Sequence, residues 1–264
     1  MTTTPAAEPT SASHAEAARR SGGAWLLWSG VVLSIAFIAI YFAQVAWARL
    51  LITPWYLPIG GTSAALVAVV AASLQPKWWR WVVASVCAAI AGLEWAFLLV
   101  LTVLPSYTGP VAAGNSLPEF RASLADGTSI NQSYFQQGRP TALVFFQGRW
   151  CPFCMTQLTE LEANQAEFER VGGDVVVVSI EDLDAAAQTQ RDFPHLKVVS
   201  DHERSLSDAV DLINRGFAPD GSDCAAPTIL LLDGAGKVTW LHRPTRFIAR
   251  PSATELAARI ENGN

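Results

Sequence analysis

The chain has 264 residues, a net charge of −5, 51% hydrophobic residues and only 16% charged residues. This composition is too apolar for an ordinary soluble protein, and the sequence has no stripe of lysine and arginine to meet phosphates, which excludes nucleic acid as a partner. We therefore expect a protein that has the lipid bilayer among its partners.

The apolar excess lies in the first 110 residues. Residues 1–22 are rich in Thr, Ala, Ser and Pro, which predicts a disordered tail. Apolar blocks follow at residues 24–47, 57–74 and 81–104. Each is close to the ~20 residues that a helix needs to cross a hydrocarbon core of about 30 Å. The first block is too long for a cleaved signal peptide and no small-residue cleavage site follows it. The sequence therefore predicts a three-helix transmembrane region over residues 23–105.

The basic residues beside these blocks predict the orientation. They are Arg19 and Arg20 before the first block, Arg49 in the first loop, and Lys77 and Arg80 in the second loop. Because basic residues concentrate on the cytoplasmic side, the N-terminus and the second loop should be cytoplasmic. Three spans then place the C-terminal half outside the cytoplasm, either in a periplasm or on the outer face of a cell membrane. Disulfides persist in such compartments.

The C-terminal half has the composition of one globular domain. A Pro- and Gly-rich linker at residues 106–116 leads into residues 117–264, and from Val111 onward the chain carries 13 basic and 20 acidic residues. About 150 residues can build one hydrophobic core. We therefore expect an acidic domain beyond the linker.

Strand and helix patterns alternate in this domain. Strands are predicted at residues 141–147, 174–180 and 196–201, a hairpin at 227–242, and helices at 155–168, 182–193, 204–213 and 252–261. The hairpin turn contains Gly234 and Gly236. This order predicts an α/β fold with a mixed central sheet flanked by helices.

Two cysteines, Cys151 and Cys154, lie where the buried strand at 141–147 passes into a helix. Unpaired backbone N–H groups and the helix dipole at this point favour a thiolate, so we expect Cys151 to be an exposed nucleophile of low pKa. Pro152 suits the first helical turn. Cys154 lies one turn further on, close enough to resolve a mixed disulfide formed at Cys151.

A metal site and a structural disulfide both suit the pair less well. A structural zinc site needs four ligands, no second C-x-x-C follows, and Cys224, His195, His202 and His242 are scattered; we predict no metal. A purely structural disulfide across two residues would close too small a loop to stabilise much. We therefore interpret the pair as redox-active.

The segment "RWCPFC", at the end of a buried strand, resembles the active-site motif of the thioredoxin superfamily. The segment "LPEFRASLADGTSINQSYFQQGRPTALVFF" resembles the opening of its redoxin group, the alkyl hydroperoxide reductase/thiol-specific antioxidant (peroxiredoxin-like) family. "SDHERSLSDAVDL", "APTILLLDGAGKV" and "TRFIARPSATELAARI" resemble that family's following strand and helix, its cis-proline loop with the terminal hairpin, and its ending. The resemblance covers about residues 117–260 and implies a thioredoxin-like fold.

The resemblance also implies roles for the cysteines. Cys151 takes the place of the thioredoxin nucleophile and Cys154 that of the resolving cysteine, with their redox-active disulfide as the only cofactor. In a peroxiredoxin alignment, Cys154 instead takes the place of the peroxidatic cysteine. The sequence departs from both patterns: Gln147 replaces a peroxiredoxin proline, and Phe145 replaces the buried aspartate of thioredoxin.

The same resemblance implies a substrate-binding surface. Trp150 matches the tryptophan that flanks the motif, although a core aromatic residue is an equal alternative, and Pro152 lies beside it. Pro227 matches the cis-proline, whose neighbouring backbone at Ala226 and Thr228 pairs with extended substrates.

Three other residues attract interest. Cys224 lies three residues before Pro227, so a third thiol could lie near the pair, as a resolving or regulatory thiol or as a packed side chain. Glu94 and Cys87 lie in the third apolar block. A carboxylate within a membrane is a functional candidate, whereas Cys87 has no second thiol in the membrane region with which to relay electrons.

These observations predict a membrane-tethered thiol–disulfide oxidoreductase. Its partners would be disulfide-containing or thiol proteins outside the cytoplasm. It would also need a reductant or oxidant partner, which could lie in the membrane. Two alternatives stay open: a thiol peroxidase that reduces hydroperoxides through Cys154, and a non-catalytic redox sensor or scaffold.

Overall fold

A computed structural model describes residues 11–47, 49 and 51–263 of the chain. They form two compact units. The N-terminal unit contains the residues up to Ala43 together with Pro54–Thr102, and the C-terminal unit contains Gln44–Thr53 together with the residues from Val103 onward.

The N-terminal unit is helical, as the three apolar blocks predict. Its helices are α1 (Ser11–Ala46), α2 (Tyr56–Leu74) and α3 (Trp78–Ala96), and α3 continues as a π-helix over Phe97–Leu101. Three stretches of these helices are long and apolar enough to cross a membrane: Ala24–Ala46, Tyr56–Leu74 and Trp78–Leu101.

The predicted tail is wrong in part. Helix α1 begins at Ser11, so residues 11–22 are helical, and the predicted disorder of residues 1–10 lies outside the described residues. The physical reason is the composition of the segment "SASHAEAARR", in which alanine, glutamate and arginine are strong helix formers.

Helices α2 and α3 pack through small side chains, which allow close approach of their backbones. Ala68 and Ala71 of α2 are fully buried, and Cys87 of α3 lies in the same cluster. Glu94 is also buried, and neither of its carboxylate oxygens has a hydrogen-bond partner among the described residues. It faces Gly61, where a Cβ atom would lie 1.8 Å from Oε2. Because Gly61 has no side chain, the Glu94 carboxylate fits beside it.

The C-terminal unit is a mixed α/β fold. Its strands are β1 (Ala122–Leu124), β2 (Ser129–Ile130), β3 (Thr141–Phe145), β4 (Asp174–Ser179), β5 (Lys197–Ser200), β6 (Ile213–Asn214), β7 (Cys224–Ala225), β8 (Thr228–Leu232) and β9 (Val238–His242). Its helices are α4 (Pro152–Ala163), α5 (Gln165–Arg170), α6 (Leu183–Asp192), α7 (Ser205–Ala209) and α8 (Ala253–Glu261), with a 3₁₀ helix at Gln132–Phe135.

Seven strands form one sheet in the order β2-β1-β5-β4-β3-β8-β9, and β6 pairs with β7 separately. Strands β3, β4 and β5 are parallel, and β8 runs antiparallel to β3 with Phe145 opposite Thr228. This is the predicted thioredoxin-like sheet with flanking helices. The short strands β1, β2, β6 and β7 were not predicted, because none of them is long enough to show a strand pattern.

The sheet buries a hydrophobic core on each face, because side chains alternate along a strand. Leu143 and Phe145 of β3 enter one core, and Ala142, Val144 and Phe146 enter the other. The second core also contains both cysteines of the motif and the buried faces of α4, α5 and α8. The thiol pair is therefore embedded in the core that packs these helices against the sheet.

The segment before α8 is held by two distant parts of the chain. Leu51, in the loop between α1 and α2, is buried, and its carbonyl accepts the backbone N–H of Arg250 at 2.7 Å. The backbone N–H of Leu104 donates to Thr245 O at 2.9 Å. The loop between the first two helices thus forms part of the C-terminal unit.

Candidate functional site

A tight turn carries the chain from β3 into α4. Gly148 adopts φ = +147°, a conformation that favours glycine. A Cβ atom there would lie 2.8 Å from Trp150 Nε1 and 2.9 Å from Glu181 Oε1. The Glu181 carboxylate accepts the backbone N–H of Arg149 at 3.0 Å. The turn therefore fixes the direction in which the two cysteines enter the helix.

The cysteines occupy the first turn of α4. Cys151 is the N-cap residue, and its Sγ accepts the Cys154 backbone N–H at 3.4 Å; Pro152 is the first helical residue. The Gln147 side chain joins the two thiols, because its Oε1 lies 3.1 Å from Cys151 Sγ and 3.8 Å from Cys154 Sγ. Both cysteines are free thiols in this structure. The pair is thus placed for sulfur-to-sulfur chemistry at a helix N-terminus.

The structure corrects the predicted properties of the two thiols. Cys151 is 2% exposed and Cys154 0% exposed, so neither is an open nucleophile. The hydrogen bond between the thiols and burial raise the pKa of Cys151. Burial also raises the pKa of Cys154, but the hydrogen bond from Cys151 and the charge of Arg250 outweigh it and lower the pKa to about 7. The negative charge of the pair therefore belongs to Cys154.

Arg250 explains this reversal, and sequence reasoning missed it. The residue lies two positions before the N-cap Ser252 of α8, and its guanidinium acts on both sulfurs, more strongly on Cys154. The helix N-terminus offers Cys151 one N–H, whereas Arg250 offers Cys154 a full charge. An arginine within the apolar segment "FIARP" was the one sequence signal that could have pointed to it.

A third thiol lies beside the pair. Cys224 is buried on β7, close enough to the pair for the Cys154 charge and the Gln147 side chain to act on its pKa. Burial and the Cys154 thiolate raise the pKa of Cys224 to about 12, although the Gln147 contact acts in the other direction. Cys224 is therefore a neutral thiol at ordinary pH. Across the part of the chain that the structure describes, no group of three or more His, Cys, Asp or Glu residues could hold a metal ion.

Two predicted substrate-binding residues lie at the surface beside the motif. Trp150 is 39% exposed, and Pro152 is also exposed. Trp150 and Gln147 line a cleft of about 630 Å³. Its acidic residues, Glu181, Asp182, Asp220 and Asp223, outnumber the basic residue, Arg204. This cleft reaches the thiols through Gln147, whose side chain contacts both sulfurs.

The predicted proline loop differs from expectation. Ala226, Pro227 and Thr228 are all buried, and the Ala226 N–H already donates to Leu212 O at 2.6 Å. None of the described residues has a cis peptide bond, so the bond before Pro227 is trans. A trans bond is the more stable form before most prolines. The loop lies beside the site because Thr228 pairs with Phe145 of β3. Its Ala226 N–H is already hydrogen-bonded and is not available to a substrate.

The fold and the paired thiols define a thioredoxin-like redox domain. Two crystal structures of reduced Prx3 from Vibrio vulnificus, one in complex with H₂O₂, have the same fold. Each is 18% identical with a TM-score of 0.52, and they cover 57% and 58% of this chain and 99% of their own. Peroxiredoxin Q from Xanthomonas campestris is 21% identical, with a TM-score of 0.46, and covers 57% of this chain and 96% of its own.

The family follows from the sequence of this domain. Residues 113–241 match the AhpC/TSA family. Residues 113–241 of the C-terminal unit are therefore an AhpC/TSA-family domain with a thioredoxin-like fold. No curated protein matches the chain.

Proposed function

We propose that this chain is a membrane-tethered thiol–disulfide oxidoreductase whose redox-active pair is Cys151 and Cys154. The observation that carries the proposal is the placement of two thiols in one helical turn, both in contact with the Gln147 side chain. Cys151 lies nearer the surface and beside the exposed Trp150, so a substrate sulfur would meet Cys151 first.

The pair supports exchange in two balanced steps. The Cys151 thiol attacks a substrate disulfide while its proton passes to the hydrogen-bonded Cys154 thiolate; a new S–S bond forms and one substrate thiolate leaves. Cys154 then gives up this proton and attacks Cys151 Sγ, which releases the second substrate thiol. The products are a Cys151–Cys154 disulfide and a reduced substrate, and the reverse sequence oxidises a substrate.

A trapping experiment tests this proposal. In Cys154→Ala the first attack remains possible, but release of the mixed disulfide fails, so extracytoplasmic proteins should accumulate as reducible adducts on non-reducing gels. Cys154→Ala/Cys224→Ala should trap at least as much, because the neighbouring Cys224 could resolve the adduct. Cys151→Ala/Cys154→Ala is the matched control and should trap nothing. Absence of adducts from the folded trapping variants would contradict exchange and favour a redox sensor or scaffold.

A second candidate is hydroperoxide reduction by Cys154. The feature in its favour is the lowered pKa of Cys154, to which the charge of Arg250 contributes, at a buried sulfur that a small peroxide could reach more easily than a protein could. Cys151→Ser keeps a hydrogen-bond donor next to Cys154. If the protein is a peroxidase, this variant should consume one equivalent of hydroperoxide and form a sulfenic acid; if it is only an exchange enzyme, it should react slowly and form none.

We also propose that the redoxin domain lies outside the cytoplasm, on the strength of the basic residues that flank the helices. Reporter cysteines at exposed positions test this without relying on the buried thiols. A membrane-impermeant thiol reagent should label Asp184→Cys in intact cells and Lys77→Cys only after lysis. The opposite labelling pattern would reverse the orientation.

A further inference from the structure

The Arg250 side chain is partly buried, and its guanidinium has no carboxylate partner among the described residues. Its Nη1 donates to Ala249 O at 3.0 Å, whereas Nε and Nη2 are buried without any hydrogen-bond partner among the described residues. No ion pair within the described part of the chain involves Arg250. A buried cation without an anion is strongly unfavourable, and a guanidinium cannot escape by losing its proton.

Among the residues that the structure describes, the two thiols can supply the missing negative charge. Phe247 packs on Phe153 with ring centroids 5.6 Å apart, and the Ala253 N–H donates to Glu160 at 2.9 Å, so the segment that carries Arg250 lies against α4. From there the charge of the guanidinium acts on Cys154 and on Cys151. When the pair is reduced and Cys154 is ionised, its thiolate neutralises Arg250. When the pair is a disulfide, both sulfurs are uncharged, and Arg250 loses its anion while the surrounding core stays in place.

We infer that Arg250 makes the disulfide the less stable state of the Cys151–Cys154 pair, so that the protein is an oxidant whose substrates are thiols. The inference rests on the proposed function and gives its direction. A disulfide whose reduced form is stabilised is a strong oxidant. Here the stabilising group is a single arginine brought in from the segment before α8.

The reaction in this direction needs no further reagent for one turnover. A substrate thiolate attacks Cys151 Sγ, the Cys151–Cys154 bond breaks, and Cys154 leaves as a thiolate paired with Arg250. A second substrate thiolate attacks the substrate sulfur of the mixed disulfide and displaces Cys151, which takes up a proton. Two electrons pass to the enzyme, and the substrate leaves as a disulfide.

Equilibration of the full-length protein with reduced and oxidised glutathione tests the inference. Arg250→Met should shift the equilibrium at least tenfold toward the enzyme disulfide, equal to about 30 mV for a two-electron couple. Arg250→Lys, which keeps the charge, should shift it less, and Arg243→Met, which removes a half-buried arginine that does not act on the thiols, should leave it unchanged. An unchanged equilibrium in Arg250→Met would overturn the inference.

The wild-type protein provides a test that does not depend on the folding of a variant. The reduced C-terminal unit of the full chain should unfold at a higher temperature than the oxidised one, contrary to the usual effect of a disulfide. A more stable oxidised form would overturn the inference. If oxidation produces no Cys151–Cys154 disulfide at all, the proposed function itself fails, which distinguishes the two outcomes.

Discussion

The ionisation of Cys154 is the most direct physical consequence of Arg250. With a pKa of about 7, Cys154 is about half ionised at pH 7. Arg250→Met removes the charge but leaves burial, which raises the pKa, and the hydrogen bond from Cys151, which lowers it. We expect the pKa to rise by at least about one unit, so that the thiolate fraction at pH 7 falls to about a tenth or less.

Thiolate absorbance near 240 nm, followed from pH 5 to pH 9 on the reduced full-length protein, measures this change. Cys151 and Cys224 have raised pKa values and should stay neutral over most of this range, and a Cys87→Ala background removes the thiol of the helical unit. Arg250→Lys should keep a midpoint close to 7, as wild type does. A midpoint that stays near 7 in Arg250→Met would refute the assignment of Arg250 as the charge that ionises Cys154.

Three further predictions concern pH and two glycines. Because the pKa of Cys154 is lowered in the folded protein, the stability that its thiolate contributes is complete above about pH 9 and is lost as the pH falls through 7. Denaturant unfolding of the reduced protein at pH 6 and pH 9 measures this contribution. Equal free energies of unfolding at the two pH values would contradict the prediction. Gly148→Ala should lower the free energy of unfolding by about 2 kcal/mol or more, because its Cβ would lie 2.8 and 2.9 Å from side-chain atoms. Gly138→Ala, at φ = +82° and with no atom within 4 Å of its Cβ, should lower it less. Equal losses in the two variants would refute the steric argument. Gly61→Ala should destabilise the helical unit, and the loss of stability should be smaller in Gly61→Ala/Glu94→Ala. Gly92→Ala should cause no loss, because its Cβ meets no atom within 4 Å. Thermal unfolding in detergent compares the three variants, and a double variant no more stable than Gly61→Ala would count against the Glu94 contact.

The fold could be predicted from the sequence where buried strands and helices show their own periodicity. The runs at residues 141–147 and 174–180 match β3 (Thr141–Phe145) and β4 (Asp174–Ser179) closely, because long apolar runs bounded by turn residues have few other stable conformations. The strands β6 and β7 have two residues each, too few for any pattern.

The site was only partly predictable for a related reason. The position of Cys151 at a helix N-terminus follows from neighbours in the sequence, and the structure has that arrangement. The burial of Cys151 and the ionisation of Cys154 depend on Arg250 and the packed core around it, which only the tertiary fold brings to the thiols. Local reasoning therefore placed the two thiols together at the helix N-terminus, but it assigned the lowered pKa to Cys151, whereas in the structure the pKa of Cys154 is lowered.

The central claim is that Cys151 and Cys154 form one redox-active pair. The most direct measurement is peptide mapping by mass spectrometry after the reduced full-length protein is treated with oxidised glutathione and its remaining thiols are alkylated. We predict a peptide that contains a Cys151–Cys154 disulfide, with Cys87 and Cys224 alkylated. Recovery of Cys151 and Cys154 as separate alkylated thiols from the oxidised, folded protein would contradict the claim.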